Sequence, residues 1–71
     1  MENLNPNTMY VAVHIGDNNV NLYEVFKPDA CIGKCREDGK EATYIGKTDN
    51  NGSFREHEIN IYNKFKERFV K

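Results

Sequence analysis

The chain has no tryptophan, two prolines and two cysteines, and no lysine or arginine before Lys27. Two cysteines are too few for the disulfide framework that holds small secreted domains together. No apolar run approaches the roughly 18 residues of a membrane span, so no membrane association is expected. Met1 to Asn7 carries neither a basic residue nor an apolar stretch. A signal peptide is therefore not expected, and a cytoplasmic protein is. The 71 residues leave room for one small domain. A two-domain enzyme, a long coiled coil and a repeat array are not expected.

The same scarcity thins the core. Hydrophobic residues are 38% of the chain, so the chain should fold, but a domain this short buries only about 60% of its unfolded surface. A single core below roughly 70–80 residues supplies only a few kcal/mol. With two cysteines, the expected supplement is a second subunit, and a homodimer is expected.

Charge is unevenly spread. Residues 1–26 hold Glu2, Asp17 and Glu24 for a net −3, and residues 27–71 carry a net +2. A nucleic-acid binder usually shows a basic stripe or a high isoelectric point. Here the sequence pI is about 6.1, and the front of the chain would repel phosphate. Ten asparagines favour turns and left-handed backbone. An Asn- and Lys-rich small chain resembles the products of AT-rich genomes, many small phage early proteins among them.

Hydrophobic periodicity places the elements. Residues 1–8, polar and Asn-rich with Pro6, read as a flexible N-terminal arm, and residues 9–71 as a single small α+β domain. Tyr10 to Ile15 alternates as a half-buried strand, with Val11, Val13 and Ile15 on the covered face. Gly16-Asp17-Asn18-Asn19 is a cluster of turn formers, and Val20 to Phe26 is a second β-rich run, a hairpin signal. Pro28 suits the first position of a short helix near 28–36, with Asp29 in its first turn. Gly33 weakens that helix by about 1 kcal/mol relative to Ala. Glu41 to Lys47 reads as a third strand. Ser53 and Glu56 have the spacing of a capping box, followed by a helix whose Phe54, Ile61, Tyr62, Phe65 and Phe69 share one face. The expected fold is a small three-stranded antiparallel sheet in β-β-β-α order, packed against one C-terminal amphipathic helix.

Few residues suggest chemistry. Cys31 and Cys35, spaced C-x3-C, would make a four-ligand set with His14 and His57 of a type zinc accepts. The two histidines are distant and have no local partner, so two reduced thiols are the ordinary reading, and neither a metal nor a cofactor is expected. His14 reads as a surface or edge histidine without an orienting carboxylate. Glu58 falls inside the apolar stripe of the last helix, where an unpaired buried carboxylate would be costly. A wet carboxylate favoured by the helix dipole accounts for it.

Tyr44-Ile45-Gly46-Lys47-Thr48, with Arg55 and His57 beyond it, resembles part of the GIY-YIG nuclease signature. In that family a Tyr-Ile-Gly strand is followed by a helix bearing a catalytic arginine and often a histidine or tyrosine. The likeness runs from Tyr44 to Glu58, about a fifth of the chain. No Gly-Ile-Tyr triplet accompanies it, and no catalytic role is carried over. The β-β-β-α order also resembles the AP2 domain, the arm-binding domain of tyrosine integrases and the second half of double-stranded-RNA-binding domains. Those folds are normally basic.

No set of nucleophile, base and stabiliser converges, so an enzyme is not expected. The expectation is a small protein-binding modulator or inhibitor that docks through Asp17, Asn18, Asn19, Asn21, Tyr23 and Glu24. Tyrosines are enriched at interfaces, and a surface of carboxylates and amides without a cation complements a basic partner. The expected partner is a basic, nucleic-acid-associated host protein, bound by imitation of nucleic acid. The alternative is a nucleic-acid-binding domain using the sheet and the basic end of the last helix.

Overall fold

The computed structural model of the chain describes residues 4–70. Three strands, β1 (Met9–His14), β2 (Val20–Val25) and β3 (Ala42–Lys47), alternate with two helices, α1 (Pro28–Glu37) and α2 (Glu56–Lys66). The fold is the expected small α+β, with an antiparallel sheet and the C-terminal helix after it. The stretch near 28–36 is a full helix, and it stands between β2 and β3.

The sheet order is β2-β1-β3. The hairpin pairs β1 with β2, from Met9 opposite Val25 to His14 opposite Val20. Strand β3 then returns to the other side of β1, with Val13 opposite Ala42 and a bulge between Tyr10 and Val11. Strand β1 is therefore central. A sequential meander would have put β2 in the middle.

This topology corrects the half-buried reading of β1. Tyr10, Val11, Ala12 and Val13 are all buried. A strand is buried on both faces when elements cover both sides of its sheet. On one face Tyr10, Ala12, Val20 and Ile45 meet Phe54 and Tyr62, with Leu22, Ile61, Phe65 and Phe69 partly buried against them. Rings run in a chain through this core, Tyr10 to Phe54 at 5.8 Å, Phe54 to Tyr62 at 5.5 Å and Tyr62 to Phe69 at 5.3 Å between centroids. On the other face Val13 and Tyr23 share a hollow with Cys31 and Cys35 of α1. Helix α1 itself has no buried residue, so that face is only lightly covered.

Helix α2 starts two residues later than the capping-box spacing suggests, with Arg55 rather than Ser53 at its N-cap. Ser53 is already engaged: the Asp49 carboxylate accepts the Asn51 and Ser53 N–H groups at 2.8 and 3.0 Å. Phe54 then enters the core, and Arg55, extended at φ −70° and ψ 164°, precedes the helix. Glu58 reaches back and its carboxylate accepts the Arg55 N–H at 3.0 Å. Glu58 thus satisfies one of the free donors of the helix start, which explains a carboxylate on the apolar stripe. Gly46 makes room for it, since a methyl group at position 46 would overlap that carboxylate.

Residues 4–8 of the expected flexible arm are tied down, while residues 1–3 lie outside the described residues. Leu4 packs on the core. Thr48, only 2% exposed, accepts the Thr8 N–H at 2.9 Å and donates its hydroxyl to the Asn5 carbonyl at 2.6 Å. The Asn5 N–H donates to the Tyr10 hydroxyl at 2.9 Å. Thr48→Val keeps the shape and removes both hydroxyl bonds. It is expected to cost about 1–3 kcal/mol, the penalty for stranding buried polar groups, measured by urea unfolding.

Tyr62 offers the opposite sign. Its hydroxyl is buried and has no hydrogen-bond partner among the described residues. Tyr62→Phe is expected to raise stability by about 1 kcal/mol in the same assay, because the unpaired group is desolvated without return.

Candidate functional site

The hairpin turn and β2 carry all six residues expected at a docking surface, and the structure divides them. Asp17, Asn18 and Asn19 are exposed in the turn. Asn21 and Tyr23 lie opposite Val13 and Val11, on the α1 face, and the Asn21 amide donates to the Tyr23 hydroxyl at 3.3 Å. Glu24 lies opposite Tyr10, on the α2 face. Its carboxylate is held by the Asn5 side-chain amide and by the Tyr10 hydroxyl at 3.5 Å. Burial, together with the Glu24 charge, raises the Tyr10 pKa, while the Asn5 N–H bond works against this. The six residues therefore share one strand and its turn but not one face.

What unites them is an edge. Val20 donates its N–H to the Arg68 carbonyl and accepts the Val70 N–H, at 2.9 and 3.0 Å. This parallel bridge to Phe69 closes the first residue of β2. Backbone groups alternate in direction along a strand, so those of Leu22 and Glu24 point the same way as Val20. They have no strand partner among the described residues. Beyond the strand the chain bends towards α1, and Phe26 is left 95% exposed. Tyr23, three residues earlier, is 45% exposed. Sequence reasoning placed Phe26 inside the strand and missed its exposure. The available signal was Lys27 before Pro28, since a residue before proline is held extended and the chain must turn there to begin a helix.

The turn is less acidic in space than in sequence. Asp17 shares an open depression of about 660 Å³ with His14, Lys40, Glu41 and Arg68. Cations from the rear of the chain thus stand beside the cation-free hairpin. His14, read as a surface residue, is half-buried. Its ring packs edge-on to Phe65 at 5.5 Å, and Nδ1 lies 3.4 Å from the Arg68 guanidinium.

A second cleft, about 500 Å³, follows β3. It is lined by Tyr44, Lys47, Thr48, Arg55 and Glu58 among others. Two carboxylates near it are already used, Glu58 on the Arg55 N–H and Asp49 on the Ser53 and Asn51 N–H groups, which hold the Asp49 carboxyl below its ordinary pKa. Arg55 precedes α2 rather than lying within it.

The zinc set does not assemble. Both cysteines are free and half-buried. They lie on α1, whereas His14 points into the α2 face and His57 is exposed on α2. Among the described residues no group of three or more His, Cys, Asp or Glu side chains could hold a metal ion. No described helix is long and apolar enough to cross a membrane. No protein-family model, no curated protein and no solved structure matches this chain.

Proposed function

We propose that this chain is a non-catalytic protein-binding module that docks through the outer edge of β2. The observation that carries the reading is Phe26, 95% exposed, at the end of an edge strand. Single exposed apolar residues are ordinary. Here a nearly bare aromatic, a half-exposed Tyr23 and unpaired backbone groups at Leu22 and Glu24 occur within five consecutive residues. Aromatic side chains dominate the energetics of protein interfaces, and an open strand edge is a template for a partner's backbone.

The electrostatic part of the proposal rests on Glu24, exposed on this strand, and on Asp17 in the turn, whose charge is partly offset by Lys40 and Arg68 beside it; a basic group on the partner complements them. Competition with nucleic acid for that partner is the narrower form of the reading. Replacing Asp17 and Glu24 together by Lys is expected to weaken capture of the partner at least tenfold, mainly through slower association. Unchanged capture would remove the electrostatic part of the proposal and leave the aromatic edge.

One observation favours a second reading, direct binding of nucleic acid. Tyr44, Lys47 and Arg55 line a single cleft, where two cations and a hydroxyl suit a phosphate backbone. On the lightly covered α1 face of the sheet, Tyr23 and Tyr44 are also exposed. Such binding would fall steeply with salt, whereas a contact centred on Phe26 would not.

A further inference from the structure

Cys31 and Cys35 are four residues apart on α1, so they lie on the same side of the helix, one turn apart. Both thiols are free and half-buried, and burial, with the Cys35 thiol beside it, pushes the Cys31 thiol up from its ordinary pKa. They line a hollow of about 180 Å³ with Val13, Tyr23, Lys34, Asp38 and Lys40. The apolar walls come from the lightly covered face of the sheet.

Distances decide what such a pair can do. Side chains at this spacing on an intact helix have Cβ atoms about 5–6 Å apart. A disulfide needs about 3.5–4.5 Å, so direct oxidation would require unwinding α1. A bridging metal ion inserts two metal–sulfur bonds of about 2.3 Å each and spans the wider gap with the helix intact. Structural zinc takes four protein ligands, and no third ligand of the required kind joins the pair among the described residues. An ion held by this pair would have to be one that accepts two soft ligands. Thiolate sulfur selects copper(I) over harder ions.

We propose that Cys31 and Cys35 form a two-thiolate site for copper(I). Binding releases one proton from each thiol and forms two Cu–S bonds, with no change in oxidation state. The product, one monovalent cation between two thiolates, carries a net single negative charge. Lys34 and Lys40 line the hollow to balance it, partly offset by Asp38. Val13 and Tyr23 contribute apolar wall to the hollow.

The test is anaerobic titration of the reduced full chain with copper(I) in competition with bicinchoninate. The expected result is one copper(I) taken per chain, with a thiolate-to-copper absorption band in the ultraviolet. Cys31→Ser and Cys35→Ser should each lower the affinity by more than about 100-fold, beyond the cost of losing an indirect metal contact, while His57→Ala leaves it unchanged. X-ray absorption on the loaded wild-type protein should count two sulfur neighbours, a readout that does not depend on any variant folding. Failure to take copper from the competitor, one copper per two chains, or equal affinity in either serine variant would overturn the assignment. So would a third or fourth ligand at the metal, or zinc displacing the copper.

Discussion

Phe54→Ala is expected to leave the chain largely unfolded at 25 °C. Phe54 joins three parts of the molecule: its ring stands edge-on to Tyr10 of the central strand and tilted against Tyr62 of α2, just ahead of the turn that starts α2. Truncating a buried aromatic costs about 3–5 kcal/mol. A single core of this size supplies about the same, so one substitution exhausts the stability of the domain. Circular dichroism against temperature would read it. The expected midpoint falls by more than about 12 °C, at about 4–8 °C for each kcal/mol in a domain of this length. A loss below 1 kcal/mol would mean that the ring chain is not the main source of stability.

Phe26→Ser is expected to do the reverse. A residue 95% exposed leaves stability within about 0.5 kcal/mol. If Phe26 anchors the docking edge, the same change weakens the partner complex by about 2 kcal/mol or more, the range of an interface hot spot, which is roughly 30-fold. Tyr23→Ala should follow with a smaller effect, because part of that ring lies against the α1 face. The two variants together separate a binding surface from a structural one, since fold and affinity move independently.

Local signals in the sequence carried the elements well. Gly16 to Asn19 marked the hairpin, Pro28 and Asp29 marked the start of α1, and the period of Phe54, Ile61, Tyr62 and Phe65 marked the covered face of α2. Contacts between distant segments were not legible. Nothing near Tyr10 or Tyr44 announces that β3 returns to β1, so the central place of β1 was not legible and the burial of Ala12 was missed. The start of α2 failed through competition: Ser53 has the right spacing to cap, but Asp49 claims its N–H and Glu58 caps from the other side. Thr48 gave no signal at all, because its partners, Asn5 and Thr8, lie some forty residues earlier.

For the docking surface, part of the answer was readable and went unread. Side chains alternate along a strand, so Tyr23 and Glu24 had to face opposite ways. Glu24 accordingly serves Asn5 and Tyr10. The proximity of Lys40 and Arg68 to Asp17 could not be read, since it depends on where α1 and the last turn bring their ends. Charge segregated along a sequence is not charge segregated on a surface.

The most direct test of the docking edge places a photo-crosslinking phenylalanine analogue at position 26 and, as a control, at Ile59, which is 41% exposed on α2. Both proteins are irradiated in lysate of the source cell, with and without nuclease. The account predicts one dominant protein adduct from position 26, unaffected by nuclease and absent from position 59. No adduct at position 26, the same adducts from both positions, or adducts that vanish with nuclease would contradict it.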